Sequence, residues 1–353
     1  MTDADVLPYV RERLPGFVPA GAPTRLPGGN LNVVWRVPGR DRSVIVKFAP
    51  PYIAVDPEIP LDPFRLTIEA RCLEALGGEG RLSDVSRPGI RPPRLIDAGT
   101  EPHVLIMEDC GAEPTLGRWL REGEDETVGQ AARIGRRLGA FLGRLHGITD
   151  HDAHCATWFD NQPMQETRLN VQYRAVTDML RTAGVKDASG LGKTAEALGS
   201  RLLTPGCCLT MGDLWPPSVL VAGGALRIID WELAHYGRPL QDVAHWGAHL
   251  WMHRHRAPSH AVRDAVDRLR TAFWDGYREV LDATGCQLWD EGEHRDAAVH
   301  FGAEILVRAV GPFQDGALYH GLPPDHPVVQ EAVQTATRAL RDPTAVELFS
   351  GSP

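Results

Sequence analysis

At Cys110–Gly111 the sequence changes character. Before it, from about Pro23 to Glu108, short β-like runs ("LNVVWRV", "SVIVKF", "HVLIMED") surround one helical pattern, "DPFRLTIEARCLEALGG". In that pattern Ile68, Cys72 and Leu76 recur at helical spacing and Gly77-Gly78 closes the run. After it the chain reads as helical, through "VGQAARIGRRLGAFLGRLHG", "MQETRLNVQYRAVTDMLRTAG" and the stretch from Pro239 to about Leu348. One segment departs from that texture: "SVLVAGGALRIID", two apolar runs joined at Gly223-Gly224, reads as a β-hairpin with a primed turn. The expected architecture is α+β in two lobes, a small β-rich lobe over 1–109 and a larger, mainly helical lobe over 110–353. A chain of 353 residues is long enough to bury a core in each.

The hairpin gathers chemistry. It leaves a loop, "LTMGDLWPPSVLV", that carries Asp213 and Ser218, and it returns to Asp230 and Glu232. Neighbouring antiparallel strands bring those two open ends to one edge. A base carboxylate beside hard oxygen ligands suits a magnesium-dependent transfer of a charged group. Taken singly, each aspartate reads as a turn cap; the hairpin between them favours the site.

A second signal lies upstream. "LPGGNLNVVWRV" is a glycine turn, Gly28, Gly29 and Asn30, entering a strand, and the next strand places Lys47 in an apolar run. A lysine inside a half-buried strand needs an anion, and the following helix offers Glu69. Taken alone, the turn belongs to any hairpin and Lys47 to an edge strand. In this order, glycine turn, strand lysine and helix glutamate form the phosphate-handling half of a kinase-type site.

Composition narrows the alternatives. With 37 basic and 46 acidic side chains the net charge is −9, which argues against a nucleic-acid surface. The six cysteines show no C-x-x-C spacing, so no structural zinc site is expected. "MTDADVLPYVRERLPGF" lacks a basic start followed by an apolar core, and no run reaches the length of a membrane span. The expected setting is cytoplasmic and reducing, with no membrane partner.

These segments resemble the aminoglycoside phosphotransferase and choline kinase-like superfamily, relatives of the protein kinases, and within it the 5-methylthioribose kinases. "GGNLNVVWRV", "VIVKFAPPYIAV" and "IEARCLEAL" look like the glycine loop, lysine strand and glutamate helix; "MGDLWPPSVLV" looks like the catalytic loop, with Ser in place of the more usual Asn. "IIDWELAHYGRPLQD" looks like the metal segment. The resemblance implies a two-lobed protein-kinase-like fold and ATP-dependent phosphorylation of a small-molecule hydroxyl, with Mg²⁺ as cofactor. In it Asp213 is the catalytic base, and Ser218, Asp230 and Glu232 hold the metal. Lys47, oriented by Glu69, holds phosphates; backbone groups around Glu108 and Asp109 meet the adenine; Asp242 braces the catalytic loop. A homodimer is the assembly it points to.

Two departures mark this chain. Met211 stands where the superfamily usually has His. In "EILVRAVG" Val307 precedes a single Arg308 where methylthioribose kinases carry an arginine pair. Arg308, Trp215 and Asp160 are the candidate acceptor contacts, although Arg308 also reads as a helix-surface charge. His146 reads as a packing or capping group at a helix end. His245 and His249, at i,i+4 without an evident third ligand, read as wall residues. A sugar-like acceptor is the first expectation; an antibiotic or amino-alcohol acceptor, and a nucleotide-binding pseudokinase, are the rivals.

Overall fold

The computed structural model describes residues 1–27, 31–123, 125–314 and 318–345. Gly28, Gly29 and Asn30 lie outside the described residues. The chain forms two compact units, one of Met1–Glu113 with Ala222–Ala234 and one of Pro114–Val221 with His235–Pro353. Residues 222–234, expected with the helical lobe, thus pack in the β-rich unit, because their strand pairs there.

The first unit is built on a sheet of order β1-β2-β3-β8-β7. Its strands are β1 (Thr24–Arg25), β2 (Val33–Val37), β3 (Val44–Phe48), β7 (Leu95–Thr100) and β8 (His103–Glu108), all paired antiparallel. On one face Trp35, Val37, Val44, Val46, Val104 and Ile106 pack with Val6 and Val10 of helix α1 (Asp3–Arg13). Strand side chains alternate, so Ile45 and Lys47 point to the opposite face. Helix α2 (Arg65–Ala75) packs against β7 and β8. Sandwiched in this way, β3 is buried from Val44 to Lys47, which is why a lysine there is desolvated. A small hairpin, β4 (Tyr52–Ile53) with β5 (Asp56–Pro60), lies between β3 and α2 in the chain. Strand β6 (Ile90–Arg91) pairs in parallel with β11 (Ala225–Ile228), the strand that brings Asp230 into this unit.

The second unit holds helices α3 (Leu116–Arg121), α4 (Asp125–Ile148), α5 (Ala153–Trp158), α6 (Gln162–Arg168), α7 (Val176–Thr182) and α8 (Ala188–Arg201). After them come α9 (Leu240–His255), α10 (His260–Thr284), α11 (Glu291–Ala309) and α12 (Pro327–Arg341). Helix α4 packs along α10 through glycines four residues apart. A methyl group added at Gly135 or Gly139 would collide with the carbonyl of Leu269 or Phe273, and one at Gly143 would lie 2.8 Å from that of Tyr277. Only a missing side chain allows such backbone approach. Helices α8, α9, α11 and α12 enclose a large apolar core around Tyr173, Ala248, Ile305 and Val333.

Two irregularities matter for the site. The stretch expected as one helix from Met164 is interrupted by a π-helical segment, Leu169–Arg174, between α6 and α7. Strand β9 (Cys208–Thr210) pairs antiparallel with β12 (His235–Gly237) and launches the Asp213 loop. The loop ends at β10 (Val219–Ala222), after which Gly223 and Gly224 take φ of 52° and 83°. Two consecutive left-handed residues are what a primed turn requires.

Candidate active site

In the β-rich unit the Lys47 ammonium, 2% exposed, lies 2.7 Å from Glu69 Oε2, 2.9 Å from Asp230 Oδ1 and 3.6 Å from Glu232 Oε1. Burial alone would lower this ammonium, yet Asp230, Glu232 and Glu69 hold it well above its ordinary value. Glu232 is further held by Asn32 Nδ2 at 2.5 Å and Arg65 Nε at 3.3 Å. Arg65, fully buried, also donates to the carbonyls of Leu31, Pro50 and Asp62. Asp230 differs from its neighbours. Its side chain is 44% exposed and its backbone sits in the left-handed region at φ 64°. That conformation is sparsely used outside glycine and recurs at functional sites.

Glu108 and Asp109 commit their side chains elsewhere. Glu108 receives both guanidinium amino groups of Arg91, and Asp109 receives Ser43 Oγ and Arg36.

In the helical unit the Asp213 loop is fixed from both ends. Asp242, fully buried on α9, accepts the backbone N–H of Met211 at 2.8 Å and of Gly212 at 2.7 Å. His146 Nε2 lies 3.0 Å from Asp242 Oδ2, and its Nδ1 lies 2.9 Å from the Tyr277 hydroxyl. His146 therefore does more than pack at a helix end: it anchors the brace. At the other end Ser218, also buried, donates to the Trp215 carbonyl at 2.9 Å and accepts the Trp215 N–H at 3.3 Å, closing the Trp-Pro-Pro turn. The Met211 side chain packs in the core at 1% exposure.

Asp213 Oδ1 is met by Arg168 Nη2 at 3.3 Å and His245 Nε2 at 3.2 Å. Burial would raise this carboxyl, but His245, Arg168 and Arg308 lower it to about 2. Behind it, Glu304 on α11 collects four polar groups. Arg308 Nε lies 2.7 Å and His249 Nε2 3.0 Å from its Oε1, while Gln172 Nε2 lies 3.0 Å and His245 Nδ1 3.6 Å from its Oε2. His245, His249 and Glu304 bring their ligand atoms within 4.8 Å, a spacing a metal could use. The guanidinium already seated on Glu304 makes an ion-pair cluster the better description. Arg308 also covers the Trp215 ring at 4.5 Å, with His249 against the same ring at 5.1 Å. The Arg308 and Trp215 positions singled out from the sequence thus come together. Asp160 does not join them: it is exposed and receives the Gln162 N–H at the start of α6.

Sequence patterns gave no sign of Arg168, Gln172 or Glu304. Arg168 ends α6 and Gln172 lies in the π segment, where a widened turn rotates side chains off the helical face that periodicity assigns them. The i,i+4 spacing of His245 and His249 was a visible signal; Glu304, 55 positions beyond His249, was not.

Among solved structures the fold matches that of choline kinase from Cryptosporidium parvum Iowa II, with a TM-score of 0.55, 13% identity, and coverage of 97% of this chain and 95% of that one. It also matches APH(2″)-IIa in its ternary complex with streptomycin and ATP, with a TM-score of 0.51, 13% identity, and coverage of 96% and 99%. The architecture is thus the two-lobed, protein-kinase-like α+β fold. A sequence profile described as "Phosphotransferase enzyme family" matches residues 23–291, and the chain belongs to that family. Similar relatives include the 4-hydroxytryptamine kinase of Psilocybe cyanescens, 25% identical over 69% of this chain and 72% of the relative. The methylthioribose kinase of Exiguobacterium sibiricum is 26% identical over 74% and 68%. Among the described residues no helix is long and apolar enough to cross a membrane.

Proposed function

We propose that this chain is an ATP-dependent, magnesium-requiring kinase that phosphorylates a hydroxyl of a small, non-cationic acceptor, a sugar or sugar-like metabolite. The observation that carries the reading is the buried Lys47, paired at once with Glu69 and Asp230. Phosphoryl transfer asks the protein mainly to position groups and neutralise charge, and a lysine fixed in this way is suited to nucleotide phosphates. The cluster contains three carboxylates, Glu69, Asp230 and Glu232, against two cations, Lys47 and Arg65. The net negative charge favours a cation beside it, and the exposed carboxylate of Asp230 suits magnesium, which takes few protein oxygens and keeps waters. Glu232 supports it from the buried side. Ser218 contributes by holding the loop, since its hydroxyl is spent on Trp215.

Asp213 takes the proton. As the acceptor oxygen bonds to the γ-phosphorus, the bond to the β–γ bridging oxygen breaks, ADP leaves, and the hydroxyl proton passes toward the Asp213 carboxylate. The acceptor class follows from the charges around that carboxylate. Arg168, His245 and Arg308 all lower it, and its neighbour Glu304 is already paired. A polycationic antibiotic would meet like charge there; a neutral polyol would not. The methylthioribose kinase relative supports the sugar reading. Six free thiols fit a reducing cytoplasmic setting.

ADP release from MgATP, measured with 5-methylthioribose, ribose, choline, 4-hydroxytryptamine and kanamycin, tests the proposal with Asp213→Asn alongside. Release with a neutral sugar that is lost in the variant is the expected result. Release with choline, 4-hydroxytryptamine or kanamycin but with neither sugar would overturn the acceptor class, and full turnover by Asp213→Asn would overturn the base.

A further inference from the structure

His245 lies between two carboxylates on different elements, Asp213 Oδ1 at 3.2 Å from Nε2 and Glu304 Oε2 at 3.6 Å from Nδ1. The ring is fully buried, and among the described residues neither nitrogen completes a hydrogen bond, so these two carboxylates are the charged groups that face it at ion-pair distance. The proton positions follow from Glu304. An ionised carboxylate offers about four acceptor sites. Here the four groups facing it are Arg308 Nε, His249 Nε2, Gln172 Nε2 and His245 Nδ1. Arginine and amide nitrogens only donate, His249 Nε2 donates the third hydrogen bond to this acceptor-only carboxylate, and on His245 Nδ1, which faces the same oxygen as Gln172, a proton is favoured over a lone pair. For His249 one proton suffices: among the described residues its Nδ1 has no partner, and burial, with His245 and Arg308 nearby, pushes its ring down to about 4. For His245 one proton does not suffice, because the nitrogen opposite Glu304 faces the Asp213 carboxylate and a lone pair there would be repelled. The other groups near His245 leave this intact. His300, at 5.8 Å between ring centres, is engaged by the Tyr173 hydroxyl, and Arg168 is directed at Asp213.

We propose that His245 is a positioning residue for the phosphoryl transfer: as an imidazolium anchored on Glu304 it grips Asp213 by Oδ1 and leaves Oδ2 to meet the acceptor hydroxyl. Arg168 reinforces the choice, since its contact also falls on Oδ1. The inference rests on the reading of Asp213 as the base. It adds that the base is held in one orientation from α9 and α11, by groups that do not themselves touch the acceptor.

The test reads charge state directly. In protein with ¹⁵N-labelled histidine, the His245 signals, identified by their absence in His245→Gln, should show both nitrogens protonated at pH 7. Glu304→Gln should convert the ring to a neutral tautomer at the same pH. A neutral His245 in the wild-type protein would overturn the proposal, as would an unchanged ring in Glu304→Gln. With the acceptor giving the fastest ADP release in the panel above, His245→Gln should lower kcat about 100-fold and leave KM for MgATP within about two-fold, as expected when a reacting group is misaligned. A kcat within two-fold of wild type would overturn the positioning role. Asp213→Asn, assayed in parallel, separates the two readings: if it stays active the base assignment fails, whatever state His245 shows.

Discussion

Met211 is tied to Asp242 through its backbone, its N–H donating to Oδ2 at 2.8 Å while the side chain is buried at 1% exposure. His146 reaches the same carboxylate oxygen from α4. The loop is therefore braced without a histidine of its own. Met211→His should not raise kcat, and should lower stability by about 1–3 kcal/mol because a polar ring replaces a buried thioether. Denaturant titration and steady-state rates check both parts; a gain in kcat would show that the brace is incomplete.

Lys47 pairs with three carboxylates, two of them buried, and removing it takes away their shared cation. Lys47→Met should cost about 3–5 kcal/mol of stability, the range found when one partner of a buried pair is deleted. Adding Glu69→Gln should recover part of that loss, and a thermodynamic cycle over the two positions would measure the coupling. Purely additive effects would contradict the ion cluster. Calorimetry with MgATP should show weaker binding in both variants.

Asp213 should remain a carboxylate through the whole working range, since its pKa is held at about 2. An acid limb in kcat therefore belongs to another group and should survive in any active variant that leaves Asp213 intact. The sign for stability is fixed by linkage. A carboxyl lowered from 3.8 to about 2 stabilises the folded state above its unfolded value, and that contribution disappears as pH falls through about 2. The amount is about 2 kcal/mol. Asp213→Asn should lack this part of the acid destabilisation, which unfolding free energies at pH 7 and pH 2 would reveal; identical pH dependence in the two proteins would count against the assignment.

Gly139 has no room for a methyl group beside the Phe273 carbonyl. Gly139→Ala should push α4 and α10 apart and destabilise the protein by about 1–3 kcal/mol, despite the better helix propensity of alanine. Gly129, on the same helix with open space around it, is the control: Gly129→Ala should be neutral or stabilising. Similar melting shifts for the two variants would refute the close-packing account.

The parts legible from sequence were those whose signal is local. Lys47 stood out because one strand carried one charge, Glu69 because the next helix had to answer it, and Asp213 and Asp230 because a hairpin separated them in an otherwise helical stretch. Glu304 carried no such mark: Arg308 is its i,i+4 neighbour on α11, but its partners Gln172, His245 and His249 come from the π segment and α9, far off in the chain. Arg168 was hidden for another reason. A π segment resets the helical phase immediately after it, so a period of 3.6 residues misassigns the following side chains. The glycines of α4 were visible, but their meaning depends on a partner helix more than a hundred positions later.

Trp215, two residues beyond Asp213, has the Arg308 guanidinium over its ring and the His249 imidazole against it. Indole emission responds to nearby charge and polarity, so this ring is a built-in optical gauge of the ground next to the proposed base. With nine tryptophans in the chain, the difference between wild type and Trp215→Phe isolates its signal. Acceptors could then be screened by titration, without nucleotide and before any turnover is known.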